Sequence, residues 1–185
     1  MASPVAMEIV ASDAAAFAPE ELPDIIHQPG VKLAIPVFRV FSKLVADGGE
    51  ARGITIGVDL EQYRAVRDFE ITDGRIGSSV NEACIEANVA DSLGIAVGDE
   101  IRLGARGLPW LLKKKVVGIL KPLGIGAVEE TASVFLTLSA GATLGKAPRK
   151  ITALQIVPAS ESSPDSIAAN IRSLLPKGLI VTTST

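Results

Sequence analysis

The chain has 185 residues, of which 48% are hydrophobic, 21% charged and 4% aromatic, and its formal net charge is -3. Its apolar weight lies in Val, Ile, Leu and Ala, which excludes a disordered chain and suffices for a packed core without disulfides or metals. Scarce aromatics and an acidic balance exclude the stacking platforms and basic groove of a single-stranded nucleic-acid binder.

The length suits one domain or two small subdomains sharing a core. Cys84 and His27 are the only residues of their kinds. They can form neither an internal disulfide nor a structural zinc site. No stretch reaches the roughly 18 uncharged apolar residues of a membrane span. The start, Met1-Ala-Ser-Pro-Val-Ala-Met7, lacks the basic flank and apolar run of a signal peptide. Taken by itself the chain reads as a soluble globular piece.

In chain order, Val5 to Ala11 reads as a strand, and Pro19 to Gln28 as a short helix with Pro in its first turn, stopped by Pro29-Gly30. Val31 to Ala46 is β-rich, Asp47-Gly48-Gly49 is a turn, and Ala51 to Val58 completes a hairpin. Asp59 to Asp73 reads as irregular or helical, and Asp73-Gly74-Arg75 as a turn. Glu82 to Ala87 is a strand that passes into a short helix ended by Gly94; Gly98-Asp99 turns the chain into a strand at Glu100 to Leu103. Trp110 to Leu120 is the longest alternating strand of this half, with Lys114, Val116 and Gly118 on one face and Lys115, Val117 and Ile119 on the other. Ser133 to Leu138 is a strand followed by a short helix to Leu144. Thr152 to Pro158 is a strand. Ser163 caps a helix with Pro164 at its first position, and Ile167, Ala168, Ile171, Leu174 and Leu175 share one face. Leu179 to Thr183 is the last strand.

The two ends mirror each other as strand–helix–strand. Such ends can close into one ferredoxin-like layer, with the β-rich middle inserted as its own unit. The fold class is therefore α+β rather than doubly wound α/β.

Catalytic patterns fail. Gly141 to Ala147 is one residue short of a P-loop and has Ala where Ser or Thr would hold magnesium. Gly124-Ile-Gly126 lacks the third Gly of a dinucleotide fingerprint, Glu129 standing there. His27 lies three residues from Asp24 but no nucleophile is placed beside it, so it reads as a surface His. Cys84 reads as a buried small hydrophobe. Lys113-Lys114-Lys115 reads as a solvated edge that blocks strand pairing, the other reading being contact with anionic lipid heads. Trp110 after Gly104-Ala-Arg-Gly107 is either a cap on the core or a partner anchor at a hairpin tip. No enzyme activity, cofactor or metal is expected.

One ordered constellation is more specific: Pro29-Gly30-Val31 with Pro36; Gly57-Val58-Asp59; Asp73-Gly74-Arg75; the run from Glu82 through Asn88-Val-Ala-Asp-Ser-Leu-Gly-Ile-Ala-Val-Gly-Asp99 to Leu103; Lys115-Val-Val-Gly-Ile-Leu120; Val134-Phe-Leu-Thr-Leu138; and the closing strand–helix–strand. It resembles the extracytoplasmic core domain of the MacB/LolC/FtsX-type ABC transporter permeases over nearly the whole chain. These motifs are structural and carry over no catalytic residue.

The resemblance implies a ferredoxin-like Porter subdomain from residues 1–41 and 151–185, and an inserted β-rich Sabre subdomain from residues 42–150. It implies that the natural protein continues past both termini into membrane helices, this chain being an excised piece at the extracytoplasmic (periplasmic) face of the inner membrane. It implies a non-catalytic role: coupling cytoplasmic ATP hydrolysis to export or other outside work by mechanotransmission. The partners would be a second permease copy, a cytoplasmic ATPase subunit reached through the membrane helices, and a periplasmic adaptor or lipoprotein, with no nucleic acid. Arg106, Leu108 and Trp110 on the hairpin tip, and Ile125 on the turn from Pro122 to Glu130, are the candidate partner contacts. The competing readings are a soluble β-barrel-type binding or adaptor module, because Leu-Gly-Ile-x-x-Gly-Asp-x-Ile-x-Leu also occurs in small barrels, and an unrecognised enzyme with a polar pocket around His27 or the carboxylates.

Overall fold

The computed structural model describes residues 5–123 and 132–183. Its elements are β1 (Met7–Ala11), β2 (Val31–Ala46), β3 (Gly49–Gly57), α1 (Leu60–Tyr63), β4 (Phe69–Gly74), β5 (Glu82–Glu86), α2 (Ala87–Leu93), β6 (Glu100–Ala105), β7 (Leu112–Pro122), β8 (Ala132–Leu136), α3 (Leu138–Leu144), β9 (Ala153–Pro158), α4 (Pro164–Leu174) and β10 (Leu179–Thr183).

The two ends of the chain build one antiparallel sheet in the spatial order β10–β1–β9–β2. Alternation decides its faces. Met7 and Ile9 of β1 and Leu154 and Ile156 of β9 turn toward α4, whose Ile167, Ala168 and Ile171 are buried against them. Ser163 caps α4 by accepting from the Ser166 N–H, and Leu175 is extended, as a residue before proline prefers. Met7 pairs with Thr183, so the sheet's first and last strands bring the two ends of the described chain side by side.

β2 is 16 residues long. Its first part, Val31 to Val37, pairs with β9; from Phe38 onward it pairs with β3, and Ser42 to Val45 pair with β6. From there the strands close on themselves. β3 pairs with β8, β8 with β5, β5 with β7, β7 with β6, and β6 returns to β2. The result is a six-strand ring, which leaves none of its members as an open edge. Inside it lie Leu44, Ile85, Ile101, Leu103, Val116 and Val134, each fully buried, with α2 and α3 plugging the ends through Leu93 and Leu144.

A second buried cluster joins the ring to the sheet. Ile35 and Val37 of β2 and Ala153 and Val157 of β9 face Ile56, Cys84, Val117 and Phe135 on the outer side of the ring. The segment from Val58 to Phe69 is wedged between them, with Tyr63 fully buried and its ring centroid 6.4 Å from Phe69 and 6.2 Å from Phe135. Each such aliphatic or aromatic side chain contributes about 1.5–3 kcal/mol on burial.

Three expectations change. The helix expected over Pro19 to Gln28 is a single 3-10 turn, Pro19–Glu21. Pro23 is the reason: it forces Leu22 into extended geometry, ψ 137°. The strict alternation expected along Trp110 to Leu120 breaks at Val117. Ala83 pairs with Val116 but Cys84 with Gly118, so Val117 is a bulge and the faces exchange beyond it. Ile119 therefore joins the ring interior while Val117 and Leu120 join the junction cluster. Finally, the lysine run is an edge only in part: Lys113 and Lys114 pair with β6 alone, whereas Lys115 pairs with β6 on one side and β5 on the other.

Candidate functional site

The β6–β7 hairpin is shaped by small residues. Gly107 takes a left-handed conformation, φ +83°, that closes the tip, and Leu108 donates its N–H to the Ala105 carbonyl at 3.0 Å. Lys146, just past α3, donates its Nζ to the Gly107 carbonyl at 3.0 Å and ties the tip to the body. A side chain at Gly104 would stand 2.8 Å from Leu111 Cδ2, so the glycine is what lets Leu111 lie across the outside of β6.

The sequence-predicted contacts fall as follows. Arg106 is exposed at the tip. Leu108 is half-buried and packs on the ring interior, which makes it an anchor for the hairpin. Trp110 is 64% exposed, which sets aside its reading as a cap on the core. Ile125 and the turn around it lie outside the described residues, as does Gly124-Ile-Gly126.

Two residues that sequence reasoning missed join them. Phe41, on β2, is 83% exposed, and Leu111 is 40% exposed. Phe41 was findable in principle: in the run Phe41-Ser-Lys-Leu-Val-Ala46 it shares its phase with Lys43, while Ser42, Leu44 and Ala46 point inward. Phe41, Lys43, Gly104 and Leu111 thus share the outer face of β2, β6 and β7.

Elsewhere the notable groups are structural. Glu82 accepts from the Arg75 guanidinium and from the N–H groups of Ser78 and Ser79. The Arg75 hydrogen bond first, and the Ser78 N–H next, hold its carboxyl down at about 2. Burial raises the Cys84 thiol, whose Sγ faces the Arg75 carbonyl at 3.4 Å. Burial lowers Lys114, which donates to the Val80 carbonyl at 2.6 Å. His27 contacts Asp24 at 2.8 Å, with both side chains largely exposed. A cleft of about 730 Å³ between Pro36, Leu60 and Leu138 is lined by Val58 and Asp59 and by none of Arg106, Leu108 and Trp110. Among the described residues no group of three His, Cys, Asp or Glu could hold a metal ion, and no helix is long and apolar enough to cross a membrane.

A single chain thus threads an end-built antiparallel sheet and a six-strand ring. The model of the MacB-like periplasmic core domain matches residues 3–174, and the chain belongs to that family. The family is the extracytoplasmic domain of ABC transporter permeases. The fold is similar to the periplasmic region of MacB from Actinobacillus actinomycetemcomitans, with a TM-score of 0.70 at 11% identity, covering 98% of this chain and 90% of that one. It is also similar to the extracellular domain of the noncanonic ABC-type transporter YknZ from Gram-positive bacteria, with a TM-score of 0.68 at 15% identity, covering 96% of this chain and 98% of that one. No curated protein matches the chain. The free-standing barrel module is not favoured: the ring exists, but the family match runs through the end-built sheet as well.

Proposed function

We propose that the chain is a non-catalytic, extracytoplasmic (periplasmic) relay at the inner membrane that delivers motion driven by cytoplasmic ATP hydrolysis to a partner outside. Residues 1–41 and 151–185 act as the membrane-proximal Porter subdomain, and residues 42–150 as the Sabre subdomain. The chain works beside a second permease copy, and reaches the cytoplasmic ATPase subunit through membrane helices of the parent protein. An adaptor or a lipoprotein meets the hairpin at Arg106 and Trp110, with Ile125 as a separate, second candidate contact.

The observation that carries this reading is β2. It passes from the end-built sheet into the ring without a break, and the buried cluster of Ile35, Val37, Ile56, Tyr63 and Phe135 fills the angle between them. A displacement at Val31 therefore arrives at Ala46 through backbone rather than through a linker. Packed interiors transmit strain in this way because they are dense and nearly incompressible.

Spin-label distances in the full-length permease test it. Labels on Lys177 in the two copies should change separation when a non-hydrolysable ATP analogue is added. Labels on Lys177 and Lys113 within one copy should keep theirs. An intra-copy distance that changes while the copies stay in place would overturn the relay.

A further inference from the structure

We infer that the outer face of β3, β2, β6 and β7 docks an acidic segment of a partner protein, which seats an apolar side chain between Phe41 and Leu111. This deepens the relay reading and rests on it for the existence of a partner.

The face carries Lys43, Arg52, Arg102, Arg106, Lys113 and Lys115 against Glu50 and Glu100, although the chain as a whole is at -3. The charges are also arranged against the domain's own interest. Lys43 stands directly opposite Arg52 across β2 and β3, and Arg102 directly opposite Lys113 across β6 and β7. Like charges in directly opposed positions destabilise a sheet. Part of this is offset internally, by Lys43 to Glu50 at 3.4 Å, by Arg102 to Asp47 at 3.3 Å and by Glu100, which stands directly opposite Lys115. Arg52, Arg106, Lys113 and Lys115 have no ion pair among the described residues.

Amid these cations are the exposed Phe41, Trp110 and Leu111. Aromatic residues and arginine together on the outer face of the ring match the composition of a protein interface. A membrane surface would suit the protruding Trp110 alone, whereas Phe41 lies in the middle of a strand, between cations and acidic side chains. Charge complementarity then selects an acidic partner over a neutral or basic one.

Trp110 is the only tryptophan and lies on the β6–β7 connection, so its emission reports on the hairpin end of this surface. The 185-residue chain is titrated with an eight-residue peptide of alternating Glu and Leu, with its Lys–Leu counterpart, and with phosphatidylglycerol vesicles. The expected result is a saturable change with the Glu–Leu peptide only, weakened about tenfold by about 0.5 M salt. The double variant Arg106→Glu, Lys113→Glu should weaken it by at least about tenfold, and Phe41→Ser comparably. Unchanged circular dichroism and thermal midpoints establish that these surface variants fold. No saturable change with the Glu–Leu peptide, an equal response to the Lys–Leu peptide, or tighter binding to the vesicles would each overturn the inference. The spin-label distances are independent of this titration, so a negative titration with the motion intact removes the acidic docking surface and leaves the relay standing.

Discussion

The guanidinium of Arg39, just past the point where β2 leaves β9 for β3, donates to the carboxylate of Glu8 on β1. Glu8 also accepts from Gln155 Nε2 at 3.0 Å, and the Arg39 N–H donates to Thr152 Oγ1 at 2.9 Å. This half-buried polar network ties the far side of the end-built sheet to the root of the ring. Both charged side chains are about three-quarters covered. Removing one partner leaves the other desolvated, so Arg39→Met should lower stability by about 1–3 kcal/mol. A double-mutant cycle with Glu8→Gln, read by urea denaturation, should return a coupling of about 1 kcal/mol or more.

Acid should weaken the fold through Glu82. Its carboxyl is held at about 2, below the ordinary 4.5, by Arg75 and by the Ser78 and Ser79 N–H groups. A depressed folded-state value means stability that is complete above pH 4.5 and lost as pH falls toward 2. Glu82→Gln should therefore be less stable than the parent at neutral pH, and the two should converge as the pH approaches 2. Thermal midpoints measured across that window check this; parallel curves would contradict it.

Thr55 offers a gain. It is fully buried on β3, and its Oγ1 has no hydrogen-bond partner among the described residues. Thr55→Val keeps the branched shape and removes the unsatisfied hydroxyl. It should stabilise the chain by about 1–2 kcal/mol, seen as a higher denaturant midpoint with an unchanged slope.

Gly57 and Gly141 set how closely α3 approaches β3. A side chain at Gly57 would begin 2.9 Å from the Gly141 Cα and 3.0 Å from the carbonyl oxygens of Thr137 and Leu138. Gly57→Ala should cost about 1–3 kcal/mol through overpacking. Gly77→Ala is the control: its new methyl would meet only side-chain and backbone atoms at 3.4 Å and beyond, with an expected change well under that of Gly57.

Much of the fold was legible where a local rule had no rival. Gly94 ends α2 in a left-handed conformation, φ +65°, Ser163-Pro164 opens α4, and Asp47-Gly48 turns β2 into β3. The closure of the ring was not legible, because β3–β8 and β5–β7 are parallel pairings between distant segments and leave no turn signature. The bulge at Val117 was hidden for a related reason: both of its faces are covered, so apolar residues follow one another without showing which side each serves. The hairpin residues Arg106 and Trp110 could be picked out from the glycines before them. Phe41 could be separated from a core phenylalanine only by its phase, which it shares with Lys43 against Leu44 and Ala46.

The pairing of Met7 with Thr183 has a mechanical consequence. Tension that drew these two neighbouring strand ends apart would peel β10 from β1, loading one hydrogen bond at a time. A push or twist given to both ends together would load the β1–β9–β2 ladder in shear, where its bonds resist as a group. The domain is thus soft to separation of its two ends and stiff to their common movement.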